Sequence, residues 1–296
     1  MNERLIHGVS AALGSSMRTY ARAHGGDIND AYDVTLADGR LVFVKSHDEA
    51  DPRMFACEAR GLEWLREAGA IRIPQVLAYG EDDVAFLVLE RIAPAARAAD
   101  YEERLGRGLA ALHRAVSMSV DGRIAVDGQF GFPEANFIGS LTQDNTFAAA
   151  WPEFYATRRL EPQVRSAIDR GIAPASWQRG FARLFAMMDD LAGPPEPPSR
   201  LHGDLWSGNV MVDDAGAPCL IDPAVYAGHR EVDLAMLRLF GGLGARTLAA
   251  YHEAAPLAEE HASRVALYQL YPLLVHVNLF GGSYVSSVER ALNQYL

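Results

Sequence analysis

Cysteine is almost absent from this chain: Cys57 and Cys219 are the two in 296 residues. Neither sits in a CxxC pair or at a His/Cys ligand spacing, so a disulfide framework and a zinc site are not organising features. No run reaches 18 apolar residues, which leaves no stretch for a transmembrane helix. The N-terminal MNERLIHGVSAALGSS lacks the basic segment and long apolar core of a secretory signal, so a reduced, cytoplasmic protein is expected. Positive charge is also short. The 27 Lys and Arg stand against 38 Asp and Glu, a formal net charge of −11, and no basic patch stands out to neutralise a nucleic-acid backbone. Neither a nucleic acid nor a membrane is expected as partner, and a monomer is expected. Internal repeats are missing too, and GPPEPP at 193–198 is the one compositionally biased stretch. What remains, 49% apolar and 22% charged, is an ordinary globular composition with ample core for one large domain or two packed lobes.

The stretch that organises this chain is Leu201–Glu231, LHGDLWSGNVMVDDAGAPCLIDPAVYAGHRE. Asn209–Val212 is a short apolar run, Asp213-Asp214-Ala215-Gly216 is turn chemistry, and Cys219–Ile221 is a second apolar run, which together predict a β-hairpin. In an antiparallel pair the first strand begins beside the end of the second, about 4.8 Å away. Asn209 and Asp222 are therefore expected at one end of the hairpin, as two hard oxygen ligands able to share one Mg²⁺. Asp204 lies on the loop leading into the same end. Asp-x-x-x-x-Asn followed by an Asp on the next strand is the spacing of a kinase catalytic loop and its metal ligand. An ordinary surface hairpin would need none of these three at this spacing.

The N-terminal third reads as a helix over 3–13 followed by short strands: 18–22, 31–36, 41–45 after the Asp38-Gly39 turn, then 76–79 and 84–89. Gly25-Gly26 joins the first two strands and offers a phosphate cover, although a Gly-Gly pair by itself is no more than a turn. By alternation Lys45 shares a face with Leu41 and Phe43, where an unpaired ammonium would be costly. Its alternative is snorkelling at a strand end. A helix over 53–68 opens at Asp51-Pro52 and closes at Gly69, with Phe55, Leu62 and Leu65 inward. Glu58 falls on that inward face and is the natural partner of Lys45, orienting it toward the α- and β-phosphates of a nucleotide. Glu90 to Pro94 and the Ala-rich segment to Asp100 read as an interlobe linker, and in a kinase the backbone at Glu90 and Ile92 would meet adenine.

Beyond residue 100 the pattern is helical. Leu105, Leu109, Leu112 and Val116 form one stripe, His113 beside them reads as structural, and further helices are expected over 148–170, 175–191, 232–240, 245–255, 258–278 and 283–294. The aromatic, Gly/Pro-punctuated Gln129–Ile138 is either a site-lining loop or a cover for the core. The expected fold class is α+β and protein-kinase-like, with two lobes. Residues 1–92 form a nucleotide-binding lobe with a five-stranded antiparallel sheet and one main helix, and residues 93–296 form a larger helical lobe for catalysis and substrate binding.

In that frame Asp204 is the candidate catalytic base, Asn209 and Asp222 the metal ligands, and Lys45 with Glu58 the phosphate-holding pair for ATP. The loop reads His-Gly-Asp rather than His-Arg-Asp, and Asp222 is followed by Pro-Ala rather than Phe-Gly. Control by a phosphorylated activation loop is thus not expected, and a metabolite-scale acceptor fits better than a docked protein.

The segment LHGDLWSGNVMVDDAGAPCLIDPAVYAGHREVDLAM resembles the hallmark segment of the fructosamine kinase (ketosamine-3-kinase) family. The likeness extends to GGDINDAY, FVK, FACEARGLEWL, LAALH and QFGFPEANFIGSLTQDNTFAAAWPEFYATRRLEP, nearly the whole chain. This resemblance implies ATP-dependent phosphorylation of the O3 hydroxyl of a ketosamine, after which the adduct is prone to eliminate and release its amine. It carries Asp204 onto the family's base, Asn209 and Asp222 onto its metal ligands, and Lys45 and Glu58 onto its nucleotide pair. It puts Trp206, His229, Arg230 and Glu231 near the transfer site as substrate-side candidates, and Asp233 as a residue that caps a helix or holds the catalytic loop. An aminoglycoside- or choline-type kinase, a nucleotide-binding regulator without turnover, and a hydrolase built on His202, Asp204 and Asp222 are the alternatives.

Overall fold

The computed structural model describes residues 1–23, 29–48, 51–81, 84–115 and 128–296. These fall into two compact units. The first comprises Met1–Tyr101 together with Val210–Pro223, and the second comprises Glu102–Asn209 with Ala224–Leu296.

The first unit is built on a five-stranded antiparallel sheet. Helix α1 (Glu3–Leu13) begins where the Asn2 side chain accepts a hydrogen bond from Leu5 N and ends on Gly14 in the left-handed region. Strands β1 (Met17–Arg22), β2 (Asp30–Leu36) and β3 (Leu41–Ser46) follow, then α2 (Arg53–Glu67), β4 (Val76–Gly80) and β5 (Phe86–Glu90). The spatial order is β1-β2-β3-β5-β4. Strict alternation sorts the side chains. Val42 and Val44 of β3 join Val34, Leu36, Phe86, Val88 and the Leu5–Val9 face of α1 in one core cluster. The opposite face of β3 carries Lys45, and Leu41 at its far end is exposed rather than part of an apolar face. On α2 the residues Phe55, Leu62 and Leu65 are buried, at the spacing of one helical stripe.

In the second unit, α3 (Tyr101–Arg114) buries Leu105, Leu109 and Leu112; Val116, the fourth member of the expected stripe, lies outside the described residues. Gln129–Ile138 is more ordered than its composition suggests, because its end forms a hairpin of β6 (Asn136–Ile138) with β7 (Leu141–Gln143). The helix expected over 148–170 is present but not uniform. Helix α4 (Trp151–Phe154) passes into a π-helical turn, Tyr155–Leu160, and then α5 (Glu161–Asp169). That turn brings the buried Arg159 guanidinium onto the rings of Tyr226, at 3.9 Å, and Phe154, at 4.6 Å. Helices α6 (Ser176–Ala186) and α7 (Met188–Leu191) lead to β8 (Ser199–Leu201).

The hairpin expected from the central stretch is β9 (Val210–Val212) and β10 (Pro218–Leu220), with Val210 opposite Leu220. Its turn is tied by Asp213, whose Oδ1 accepts from Ala215 N and Ala217 N. The hairpin belongs to the first unit, where Leu220 N donates to Arg72 O and Ala98 N donates to Gly216 O. The chain then returns to the second unit as β11 (Tyr226–Gly228), which pairs antiparallel with β8, Tyr226 opposite Leu201. Helices α8 (Glu231–Leu239), α9 (Ala245–Ala254), α10 (Val265–Phe280) and α11 (Val285–Leu292) follow, with short 3₁₀ turns leading into the last two. Helix α10 is buried on nearly every side and packs against α5, α8 and α11. Among the described residues no helix is long and apolar enough to cross a membrane.

Because Leu62 is fully buried one turn beyond Glu58, Leu62→Ala should lower stability by about 3 kcal/mol. Thermal or urea unfolding of the variant against the parent checks it.

Candidate active site

Lys45, next to last in β3, has 5% of its surface exposed, and its ammonium cannot remain there unpaired. It is met twice. Nζ lies 2.7 and 2.9 Å from the two Glu58 oxygens and 3.1 Å from Asp222 Oδ1. Burial pulls the lysine pKa down, but the charges of Asp222 and Glu58 more than offset it and hold the ammonium above its ordinary value. Desolvation in turn pushes Glu58 upward, against the pull of Lys45. The expected pairing of Lys45 with Glu58 is thus present, and Asp222, 177 residues away in sequence, completes it. Asp222 is also the one non-glycine residue with positive φ among those described, at 55°. Aspartate is among the few side chains that enter the left-handed region readily, and from there the Asp222 carboxylate meets Lys45. Lys45 is, besides, the single lysine of the chain.

The second unit contributes the loop after β8. His202 N and Gly203 N both donate to the buried carboxylate of Asp233, at 2.8 and 3.0 Å. His113 Nε2 lies 3.2 Å from the same carboxylate, while its Nδ1 sits 2.8 Å from the Tyr251 hydroxyl. Asp233 therefore holds the loop rather than meeting a ligand, and His113 is a structural histidine. Burial raises the Asp233 pKa, but the His113 hydrogen bond and the surrounding donors outweigh it, so the group stays below its ordinary 3.8. Gly203 explains the His-Gly-Asp spelling. Its φ is +82°, and a Cβ there would lie 1.9 Å from Ala224 O, so no other side chain fits between the loop and that carbonyl.

Asp204 follows at once. Asn209, closing a 3₁₀ turn over Ser207–Asn209, donates from Nδ2 to Asp204 O at 2.8 Å and to Asp204 Oδ2 at 3.1 Å. These bonds turn the amide so that Oδ1, its only atom suited to a hard cation, faces the other way. Trp206 is 39% exposed, with its indole lying over Gly208 and edge-on to Phe240 at 6.3 Å. Phe240 continues to His276 at 4.7 Å, and His276 to Phe280 and Tyr284, so an aromatic wall starts at the loop. The sequence reading missed this wall. Its members run from Trp206 to Tyr284 through apolar helix and Gly-rich loop, and nothing in their spacing joins them.

The other substrate-side candidates have protein partners. His229 is buried against Tyr268 at 5.3 Å, and burial lowers its pKa. Arg230 makes a bidentate pair with Glu196, 2.7 Å on each arm, and donates to Ala255 O and Pro256 O. Glu231 is paired in the same way with Arg264, at 2.7 and 2.9 Å. Glu90 ends β5, where its N donates to Gln75 O, and Ile92 is buried just beyond. Gly25 and Gly26 lie outside the described residues.

A buried lysine–glutamate pair, a left-handed aspartate after a hairpin, and an Asp-x-x-x-x-Asn loop hung from a buried aspartate are the parts of a phosphotransferase. The model of the fructosamine kinase family matches residues 1–296. The chain is a member of the fructosamine kinase family. The chloroplastic protein-ribulosamine 3-kinase of Arabidopsis thaliana is 36% identical over 274 residues, 92% of this chain and 81% of that one. A crystal structure of a fructosamine-3-kinase candidate from Thermobifida fusca superposes with a TM-score of 0.88 at 38% identity, covering 100% of this chain and 99% of that one. The choline kinase LicA of Streptococcus pneumoniae, at 16% identity and a TM-score of 0.66 over 99% and 98% of the two chains, shares the fold. The fold is accordingly the α+β, protein-kinase-like one expected, and membership of a kinase family makes the protein an ATP-using phosphotransferase.

Asp233 gives a pH-dependent test. A carboxyl with a depressed folded pKa contributes stability that is present above its unfolded pKa, near 3.8, and is lost as pH falls through the lower folded value. Asp233→Asn should therefore cost about 3 kcal/mol near neutral pH. The gap to the parent should narrow below about pH 4, as read by thermal unfolding across pH.

Proposed function

We propose that the protein is an ATP- and Mg²⁺-dependent kinase that phosphorylates the O3 hydroxyl of ketosamines, the fructosamine and ribulosamine type of glycation adduct. The observation that carries this reading is the Lys45–Glu58–Asp222 ion triad in a member of a family whose Arabidopsis relative is named a protein-ribulosamine 3-kinase. Lys45, braced by Glu58, holds the phosphate tail of the nucleotide as a compact point charge. Main chain at Glu90 and Ile92 meets adenine, and Gly25-Gly26 covers the phosphates. Asp204 orients the acceptor hydroxyl and takes its proton as the phosphoryl group transfers.

The donor set suits the expected metal. Asp222 supplies a carboxylate and Asn209 an amide oxygen, a sparse all-oxygen pair that leaves room for phosphate and water, as Mg²⁺ requires. Bound there, Mg²⁺ would neutralise charge on the phosphates. Trp206, at the head of the aromatic wall, faces the acceptor. His229, Arg230 and Glu231 stand on the acceptor side as well, held in place by their pairs with Tyr268, Glu196 and Arg264. The setting is cytoplasmic, and the acceptor is a free or protein-bound ketosamine.

Mg²⁺ and ATP with fructosyl-, ribulosyl- and erythrulosyl-lysine should give a product heavier by one phosphate in mass spectrometry. Transfer to choline or an aminoglycoside, with none to any ketosamine, would replace the acceptor assignment. Asp204→Asn should lower turnover by about 10²–10⁴ while ATP still binds. Near-parental turnover in that variant would remove Asp204 from its role.

A further inference from the structure

The hairpin β6–β7 and the residues after it carry three buried amides, Asn136, Gln143 and Asn145. The phosphotransfer reading gives them no task. They form one network. Gln143 Nε2 donates to Ala224 O at 3.1 Å and to Asn136 Oδ1 at 2.8 Å, and its Oε1 accepts from the Tyr271 hydroxyl at 2.7 Å. Asn136 Nδ2 donates to Val225 O at 2.8 Å. Asn145 Nδ2 donates to Asn136 Oδ1, and Arg159 Nη2 donates to Asn145 Oδ1 at 2.6 Å. Every amide is fixed in orientation, since turning Gln143 over would set its oxygen against two other oxygens.

The backbone that this network grips is informative. Ala224 and Val225 directly follow Asp222-Pro223 in the chain. Ala224 N donates to His202 O at 2.9 Å, and the Ala224 carbonyl packs against Gly203 at the place where any Cβ would collide. Ala224 is thus held by the catalytic loop on its N–H side and by Gln143 on its carbonyl side. Tyr271, the third partner of Gln143, lies within the field of Asp204, whose charge adds to burial in keeping the phenol protonated. Burying three amides and a guanidinium brings little stability over apolar packing of equal volume, but such a network is satisfied in only one arrangement.

We propose that Gln143 is a positioning residue of the phosphotransfer site, which with Tyr271 sets the Ala224–Val225 backbone against the catalytic loop and so holds the preceding metal-binding aspartate in one conformation. This rests on the reading of Asp222 as a metal ligand. It also accounts for the absence of Phe-Gly after Asp222, because a segment gripped at both carbonyls has no alternative state to switch into.

Gln143→Met keeps the volume and removes the donor to Ala224 O, and Tyr271→Phe removes one hydroxyl from the same hub. In Gln143→Met the Mg²⁺-dependent gain in ATP affinity, measured by calorimetry with and without the metal, should fall by about 10-fold, and metal-free ATP binding should not change. The Mg²⁺ concentration for half-maximal turnover should rise by a similar factor, with the ketosamine KM within about twofold of the parent, and Tyr271→Phe should move both in the same direction by less. A lower melting temperature with parental Mg²⁺ dependence in either variant would reduce the network to a structural role and overturn the proposal. Should Gln143→Met fail to fold, Tyr271→Phe decides by the same readouts. A parent protein that binds Mg²⁺–ATP but phosphorylates no ketosamine would remove the acceptor assignment, while the calorimetry still judges Gln143.

Discussion

An ammonium taken out of water costs several kcal/mol unless opposite charge meets it, and Lys45 satisfies that condition with two carboxylates, one 13 and the other 177 residues further along the chain. Much else in the first unit follows from this requirement. Glu58 must sit on the buried stripe of α2, so α2 must cover the Lys45 face of the sheet and leave the Val42–Val44 face to α1. Asp222 must be delivered beside a strand 177 residues earlier, and the hairpin β9–β10 does so by attaching to this unit through Arg72 and Ala98. The same aspartate is the one non-glycine residue of left-handed backbone among those described. The ion triad is weak evidence for stability. It is strong evidence for geometry, since removing Lys45 would leave the Glu58 and Asp222 carboxylates facing each other without the cation that joins them.

The second unit solves a related problem with the opposite sign. A loop that presents Asp204 cannot satisfy its own backbone through a sheet or a helix, so its donors need an acceptor brought from elsewhere. Asp233 at the start of α8 supplies it, and His113 from α3 keeps that carboxylate ionised and aimed. The same loop is closed from the other side by the Ala224 carbonyl, which leaves residue 203 without room for a side chain. Protein kinases with His-Arg-Asp use that position for control by phosphorylation. Here the space is filled by backbone, so a phosphate-responsive arginine is excluded on steric grounds as well as by spelling.

These arrangements were unequally legible in the sequence. The five strands, α1 and α2 were readable because alternation, an Asp-Gly turn and a Pro-opened helix are local signals, and local signals survive folding here. The spacing from Asp204 to Asn209 and the hairpin to Asp222 were readable for the same reason. The pairing of β8 with β11 was not, because Ser-Arg-Leu and Tyr-Ala-Gly are too short to alternate and their partners lie far apart in the chain. Arg230 and Glu231 looked like ligand-facing charges, since nothing near them in sequence announces Glu196 or Arg264 as partners. Likewise Leu41 was expected on a covered face, yet it sits at a strand end and is exposed. Distance along the chain, rather than chemistry, separates what could be read from what could not.

One further constraint unites composition and chemistry. The 27 cationic side chains of this protein include a single lysine, and it is buried. Arginine serves at every other position, including the bidentate pairs with Glu196 and Glu231, where its planar fork suits a carboxylate. At position 45 that fork would be the wrong shape, because the site needs a compact charge that can face two carboxylates here and a phosphate tail in the working enzyme. Ketosamines arise when an unprotonated amine attacks a sugar carbonyl. The one side-chain amine this chain carries is kept out of solvent and held protonated by Glu58 and Asp222. The interaction that equips Lys45 to hold phosphate also keeps its amine protonated and out of solvent.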